Sequence, residues 1–437
     1  MRISGVDSSW LRGFSLQKRC GTLGCFEAQF HIPAAELGTW LKRAGQEIAV
    51  STEPPGEESL FYGVVTEAAC EQRKGCVLAT LRAVSGAVNQ MEPISCRLFQ
   101  KPEKTYGDTL DASRLQMENC ALELDQGLQS EPLIPLILQR ESNFDFIKRL
   151  AAASGRRMWI IDTREGAPAI ALGHCLDAAA MKFKAAEIKC LRRVAVTGSE
   201  RLELASEKYC SFGRLAQIEG IDGKYLVTGL SCAQEHGRDI FRYSLEHHEE
   251  GKAAGINPEA GRFAILPGKV ADAADPDKLG RVRFIADEPC ETADGDVSSW
   301  LPWQTPYTGE NGGMIFIGEK DTPAELVLVE GAGTVRCGPR VSSLTEEVAD
   351  VEKNKYLGDN FGHRLLWKED SLEVRTRDNV LLLKDDEISL TVGKTKIVAH
   401  KDMIEISHKN SSLGLKEAIQ LTASGKVDIT GSEINLG

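Results

Sequence analysis

The side chains best suited to holding a metal ion are Glu246-His247-His248-Glu249-Glu250. Imidazole and carboxylate are common zinc ligands. Adjacent histidines on a strand, however, point to opposite sides, and the run sits beside a polar linker, so it reads as a solvated charged stretch. His400 and His408 lie at separate turns and would share an ion only through symmetry copies on one axis. Asp275-Pro276-Asp277-Lys278-Leu279-Gly280 has the acids of a calcium loop, yet Leu279 stands where an oxygen ligand is required. Turn chemistry explains the same residues: proline and aspartate set the bend, and Gly280 can take a positive φ before a strand that opens at Arg281. Gly393-Lys394-Thr395 lacks the upstream glycine of a phosphate-binding loop, and the chain contains no GxSxG, HExxH, GxxxxGK[ST] or GxGxxG. No acid pair is framed by a recognisable cleft. The expectation is a structural protein, without enzyme activity, cofactor or metal.

The 437 residues carry a formal net charge of -12, with 42% hydrophobic and 6% aromatic residues. An acidic chain poor in aromatics does not suit a nucleic-acid partner, which needs surplus Lys and Arg on one face. The 12 cysteines are spread from Cys20 to Cys337 with no CxxC pair, and are expected to be reduced, buried small hydrophobes rather than disulfides or metal ligands. The opening MRISGVDSSW has no basic-then-apolar leader, and no apolar run approaches the ~20 residues of a membrane span. Synthesis and assembly in a reducing cytoplasm follow, with any exit by another route.

Four stretches differ in texture. Residues 1–255 read as mainly β with a few helices. "PAAELGTWLKRAGQ" predicts a helix, with Pro33 in the first turn, Leu37, Trp40 and Leu41 on one face, and Gly45 closing it. "ESNFDFIKRLAAASG" predicts another, capped by Ser142 with Asp145 three residues on, its Phe144, Ile147 and Leu150 or Ala151 on one side and Gly155 at its end. "SLFYGVV" and "KYLVTGLSC" are alternating strands of small barrels. Residues 262–338 carry short strands with polar turns and predict a five-stranded OB-type barrel; residues 339–363 read as a connector.

Residues 364–437 contain the one visible repeat. Apolar pairs at i and i+2 recur at Leu365/Trp367, Leu372/Val374, Leu381/Leu383, Ile388/Leu390, Ile397/Ala399, Ile404/Ile406, Ile419/Leu421, Val427/Ile429 and Ile434/Leu436, with one pair missing near Leu413. Short strand and turn, repeated, predicts a β-solenoid or β-prism. Each unit can bury only a few side chains, so the ribbon must stack on itself or on other chains. The terminal "GKVDITGSEINLG" would leave a half-apolar strand edge uncovered.

Three stretches taken together resemble a known family. "ISCRLFQKPEKTYGDTL" with "LQRESNFDFIKRLAAASG", then "GKVADAADPDKLGRVRF" followed by "SSWLPWQTPYTGENGGMIF", and finally the repetitive ribbon stand in the order seen in VgrG-type hub-and-spike proteins of contractile injection systems, kin to the hub and spike of contractile phage tails. The OB stretch, with Asp275, Pro276, Gly280, Arg281 and Trp300, is its most specific part. The resemblance implies phage-hub-like barrel modules, an OB-fold barrel and a C-terminal trimeric β-helix or β-prism spike. Three chains would each supply one prism face, with Leu381, Leu383, Ile388, Leu390, Ile404, Ile406, Ile419, Leu421, Val427 and Ile429 turned to the shared axis.

The resemblance further implies that Ile434, Asn435 and Leu436 dock a PAAR-type tip protein by β-augmentation. The hub would sit on an Hcp-like tube and baseplate proteins, with two similar barrel modules per chain matching a sixfold tube, although no repeat between them is visible in the sequence. It implies delivery of effector cargo and puncturing of the target envelope. The connector is too short for an inserted enzyme. The machine is left open: type VI secretion, a phage tail or a free extracellular particle. The competing expectation is a tailspike-like β-solenoid that binds or cleaves glycans, though solenoid enzymes use coils of roughly 20 residues or more.

Overall fold

The computed structural model describes residues 1–52, 58–73, 76–99, 105–111, 113, 115–131, 137–164, 166–196, 199–248, 263–287, 291–292, 297–309, 312–314, 316–329, 332–338, 355–359, 361–415, 425 and 433. Two compact units, Met1–Pro339 and Arg340–Gly437, are taken in turn.

The first unit opens with six strands: β1 (Arg2–Ile3), β2 (Leu11–Arg19), β3 (Cys25–Ile32), β4 (Glu47–Ser51), β5 (Ser59–Arg73) and β6 (Cys76–Ser85), in the sheet order β1-β4-β5-β6-β3-β2. Period-two alternation sets the inner face: Phe26, Ala28, Phe30 and Ile32 of β3 are all buried. The predicted first helix is cut to a 3-10 turn, Ala34–Glu36, and the five-residue α1 (Leu37–Leu41). Of its expected apolar face only Trp40 is buried, packed on Phe30 at 4.7 Å and donating its Nε1–H to the Thr80 carbonyl, while Leu41 stays exposed. One anchored side chain does not sustain further turns, and Gly45, at φ +83°, redirects the chain into β4.

A smaller α/β segment follows: β7 (Ser95–Phe99), α2 (Tyr106–Thr109), β8 (Ala121–Leu124), α3 (Gln126–Ser130), β9 (Ile137–Glu141), α4 (Asn143–Ala153), β10 (Arg157–Ile161) and β11 (Ala169–Gly173). Helix α4 matches its sequence signals. Ser142 Oγ accepts from the Asp145 N–H (3.1 Å) and donates to the Asp145 carboxylate (2.9 Å), so Asp145 assists the cap without reaching back to the Ser142 N–H. Phe144, Phe146, Ile147, Leu150 and Ala151 join one core cluster.

The next six strands are β12 (Asp177–Phe183), β13 (Ile188–Val196), β14 (Ser199–Ser206), β15 (Arg214–Ile218), β16 (Tyr225–Glu235) and β17 (Arg238–His247), ordered β12-β15-β16-β17-β14-β13. Strand β16 pairs antiparallel with β2, joining both sets into one 12-stranded sheet with a continuous core. Beneath that junction Lys18 is ion-paired to Asp162, and both side chains are almost fully buried.

The OB barrel comprises β18 (Phe263–Asp272), β19 (Arg281–Ala286), β20 (Glu291–Thr292), β21 (Leu301–Pro302), β22 (Tyr307–Gly309), β23 (Gly312–Met314), β24 (Pro323–Val329) and β25 (Ala332–Cys337). Five of these run β21-β19-β18-β24-β25, and a parallel bridge from Trp303 to Val335 closes the ends, giving the expected five-stranded barrel. Strand β20 leaves the barrel to pair with β7, and Leu98 and Leu138 belong to the same apolar cluster as Leu266, Phe284 and Leu326.

The second unit is one antiparallel meander: β26 (Lys355–Gly358), β27 (His363–Trp367), β28 (Ser371–Thr376), β29 (Asn379–Lys384), β30 (Glu387–Val392), β31 (Thr395–His400), β32 (Ile404–His408) and β33 (Ser411–Leu415), each paired to the next. The ribbon begins at Lys355, inside the stretch read as connector, because Tyr356 and Leu357 pair with Leu366 and Leu365. Successive strands reverse direction through tight turns, so the described ribbon is an antiparallel meander; of the expected β-solenoid or β-prism it lacks the parallel neighbours of a solenoid coil.

The cysteines also depart in part from expectation. Cys120, Cys210 and Cys232 are buried, and no disulfide links the described cysteines, but Cys25 and Cys190 are exposed. Each sits at an outward position of its strand's alternation. Burial pushes the Cys120 thiol up to about 11 and the Cys210 thiol up to about 12.

The buried pair beneath the junction gives a stability test. Burial raises the Asp162 carboxyl, the Lys18 ammonium opposes that rise, and one carboxylate oxygen has no hydrogen-bond partner. Lys18→Met leaves that carboxyl unpaired and is expected to cost about 3–5 kcal/mol. Lys18→Met with Asp162→Leu should recover most of the loss, as read from denaturant midpoints.

Candidate functional site

No described group of three or more His, Cys, Asp and Glu side chains is arranged to hold a metal ion. Glu246 pairs with Arg157 (2.7 Å), and His247 stands edge-on to the Tyr225 ring at 5.5 Å; Glu249 and Glu250 lie outside the described residues. His400 and His408 fall on opposite faces of the ribbon by strand alternation, and His408 Nδ1 meets Thr395 Oγ1 at 2.8 Å. A cleft of about 760 Å³ in the first unit is lined by Arg19, Lys148, Arg201, Glu203 and Glu246 among others. Its glutamates are already engaged, Glu246 by Arg157 and Glu203 by Arg192 and Arg201. Cys20, which also lines the cleft, donates its thiol to the Met158 carbonyl (3.4 Å), and burial raises its pKa.

The ribbon presents an extended, exposed apolar face. Register places Leu365 opposite Val374, Val374 opposite Leu381, Leu381 opposite Leu390, Leu390 opposite Ile397, and Ile397 opposite Ile406. A second column runs beside it through Trp367, Leu372, Leu383, Ile388, Ala399 and Ile404. The apolar pairs therefore share one face and form an aliphatic ladder two residues wide. The pair missing from the sequence pattern is Leu413/Leu415, which stands opposite Ile406 and Ile404; the intervening glycine and the serines before it hid the unit. Ile388 is 52% exposed and Ile404 43%, although both are large aliphatics in the middle of the ladder. The reverse face is mixed: Leu366 and Val398 are buried on it, and Glu373 is buried between Lys368 and Arg375. Of the sequence-predicted ladder, Leu381, Leu383, Ile388, Leu390, Ile404 and Ile406 are placed together; Ile419, Leu421, Val427 and Ile429, and the tip residues Ile434, Asn435 and Leu436, lie outside the described residues.

The OB turn is built as its residues indicated, with a partner that the sequence reading missed. The Asp275 carboxylate accepts from the backbone N–H groups of Asp277 (3.1 Å), Leu279 (2.9 Å) and Arg281 (3.3 Å), and from the Arg281 guanidinium at 2.7 and 3.0 Å. Pro276 occupies the turn and Gly280 has φ +69°. Asp275 is thus saturated by protein donors. Hydrogen bonds from Arg281, then from the three backbone groups, hold its carboxyl far below the usual range. Trp300 is only half-buried; Trp303 is the tryptophan that enters the barrel core, donating its Nε1–H to the Phe316 carbonyl (2.7 Å).

The two N-terminal stretches that carry the family resemblance meet in space. Arg97 of β7 donates to Gln139 (3.2 Å), Asn143 (3.2 Å) and Gln116 (3.0 Å). Arg149 grips Glu141 at 2.6 and 2.9 Å, and Phe99 stacks on Phe146 at 5.3 Å.

Residues 266–335 match the family model described as the type VI secretion system/phage-baseplate injector OB domain. Among solved structures, the E. coli c3393 protein, described as a component of the type VI secretion system with structural similarity to the T4 bacteriophage tail proteins gp27 and gp5, aligns with a TM-score of 0.54 at 16% identity over 76% of this chain and 98% of its own. The fold is similar to that of these type VI secretion and phage-tail proteins. A chain of the lidless PdpA-VgrG complex aligns with a TM-score of 0.56 at 8% identity over 93% of this chain and 94% of its own. The half-lidded Francisella PdpA-VgrG complex gives a TM-score of 0.56 at 7% identity, covering 93% and 84%. No curated protein sequence matches the chain. At such identities the hub-and-spike fold is shared while individual side chains are not.

The saturated turn makes the OB barrel acid-sensitive. A carboxyl whose folded pKa is depressed contributes in full above its unfolded value and progressively less as pH falls below it. Asp275→Asn should lower the melting temperature at pH 7, and the gap to the parent should narrow below about pH 4, near the ordinary aspartate pKa.

Proposed function

We propose that the chain is a structural, non-catalytic hub and spike of a contractile injection machine and works as a homotrimer. One observation carries this reading: the aliphatic ladder covers one whole face of a single-layer sheet and has no second layer among the described residues of its own unit. Two further copies would bury it, and interchain pairing would satisfy the sheet edges. The match of residues 266–335 to an injector OB domain supports the same machine class. The product is a stiff, narrow rod suited to transmitting axial force and puncturing an envelope. No described helix is long and apolar enough to cross a membrane, which fits assembly within a particle that is driven outward.

In this reading the hub faces an Hcp-like tube and baseplate proteins, and Ile434, Asn435 and Leu436 receive a PAAR-type tip. The PdpA-VgrG structures are of a complex, which supports partnering of this fold with other chains. The glycan-cleaving tailspike reading finds little support in short antiparallel strands whose ladder holds one aromatic, Trp367.

The purified chain is expected to have a mass near three times 47.7 kDa. Ile404→Asp with Ile406→Asp would set carboxylates on the shared axis and abolish or strongly destabilise the trimer; unchanged mass and melting temperature would sink the three-chain core. Deleting residues 434–437 should leave the trimer mass intact and eliminate pull-down of a PAAR-type protein encoded beside the gene.

A further inference from the structure

Two cavities of the first unit open onto the same stretch of sheet. The cleft of about 760 Å³ lies between α4 and strands β2, β16, β17 and β14. A second, of about 480 Å³, continues over those strands towards Cys190 and Arg192 of β13. Arg19, Gly229, Ser244 and Glu203 line both, so the two form one trough. The register explains its depth. Arg19 stands opposite Gly229, Gly229 opposite Ser244, and Ser244 opposite Glu203. One row across four strands thus has only a hydrogen and a hydroxymethyl group between two long charged side chains, a floor roughly 14 Å wide at the usual strand spacing. In the next row Ser231 stands between Gln17 and Arg242, with Ala205 beyond. The floor is close-packed beneath: a Cβ on Gly229 would stand 3.0 Å from the Ser244 Cβ.

The walls carry cations in excess of the acids left to meet them. Glu203 is held by Arg192 and Arg201, Glu246 by Arg157, and Glu141 by Arg149. Asp145 accepts from Ser142 Oγ in the cap of α4 (2.9 Å). Arg19 and Lys148, by contrast, enter no ion pair or side-chain hydrogen bond among the described residues, and both are exposed. They stand on one wall: Lys148 Cε lies 3.9 Å from where a Cβ of Gly21 would be, two residues from Arg19. The Arg157 guanidinium lies beside Cys20 at the same place. In a chain of net charge -12, this is a local reversal of sign. Isolated surface cations are ordinary; these border a concavity whose floor is cleared of side chains.

We propose that the trough takes an extended, acidic segment of a partner polypeptide, its carboxylates meeting Arg19 and Lys148 and its backbone lying over Gly229 and Ser244. Arg19 offers a planar fork for one carboxylate and Lys148 a point charge for a second. Three features favour a peptide over other polyanions. Glu203 and Glu246 repel the continuous charge of a nucleic acid or a polyphosphate, whereas a peptide can space its carboxylates away from them. The hydroxyls of Ser231 and Ser244 and the amide of Gln17 supply donors and acceptors together, as a peptide backbone requires. The cleft's volume suits a segment of several residues rather than one small anion. Every lining side chain belongs to a single chain, so the site does not depend on the homotrimer.

Fluorescence polarisation of labelled hexaglutamate with the full-length protein tests this. Binding should saturate at low salt and weaken as added salt screens the charges. Arg19→Glu with Lys148→Glu should weaken it by about tenfold or more, the scale of losing charge-assisted hydrogen bonds. Lys42→Glu with Lys401→Glu makes the same change in net charge at exposed positions outside the trough and should leave the affinity close to the parent's. Ser231→Phe raises the floor without altering charge and should also weaken binding. Should the charge-reversed variant fail to fold, Arg19→Gln with Lys148→Gln carries the same expectation. Absence of saturable binding, or equal loss in the two charge-reversed variants, overturns the site. Parental affinity in Ser231→Phe overturns the path over the floor. Tighter binding of a polyphosphate or a single-stranded oligonucleotide of equal charge overturns the assignment to a peptide.

Discussion

A single-layer β-sheet has two faces, and water can be kept from only as many as something else covers. In the ribbon of residues 355–415 the reverse face solves this locally, with Glu373, Lys368, Arg375, Glu387 and Lys396 forming ion pairs around a central column in which Leu366 and Val398 are buried. The other face is aliphatic along its whole length. Burying one Leu or Ile contributes roughly 1.5–3 kcal/mol, so the ladder holds most of the free energy available to this unit. Fixing each residue costs about 1–2 kcal/mol in backbone entropy. A ribbon that leaves its ladder wet is therefore short of stability, which is the ground for the trimer proposed above. The trimeric reading is the form in which the two sides of that balance meet.

The same constraint acts at strand edges in the hub, where backbone groups rather than side chains must be satisfied. Here the chain uses repetition. Two modules with one strand order are joined by pairing β2 to β16, and what is conserved between them in structure is what the backbone dictates. The bulge at Thr66 and Thr228 and the left-handed glycines Gly45 and Gly213 recur. Core side chains do not: Phe26 in one module stands where Leu202 is in the other, because a core accepts any apolar set of the right total volume.

That asymmetry explains what could be read from the sequence. The duplication left only "VVTEAAC" against "LVTGLSC", a trace too short to stand out without the sheet order. Period-two patterning made the ribbon and the OB strands legible, since a strand with one dry face must alternate. It left solenoid and prism open because alternation is the same in parallel and antiparallel strands. Helix α4 was legible through Ser142 and its apolar side, whereas α1 was overread because Leu37 and Leu41 have helical spacing but no surface to cover. The Asp275 turn was visible as a turn; its clamp by Arg281 was not, since nothing in the spacing of two oppositely charged residues fixes a bidentate contact.

The hub and the OB barrel are also joined by more than the chain that runs between them. Strand β20 leaves the barrel to extend the β7–β9 sheet, and Leu98 and Leu138 of that sheet sit in the barrel's own apolar cluster. On the other side of the same strands, Arg97, Gln139 and Asn143 form a buried hydrogen-bonded set reaching into α4 and the Leu115 carbonyl. A buried polar set of this kind tolerates little displacement, because any shift leaves a donor or acceptor unsatisfied in a low-dielectric interior. Apolar packing on one face and directional bonds on the other thus fix the barrel to the hub in both distance and orientation.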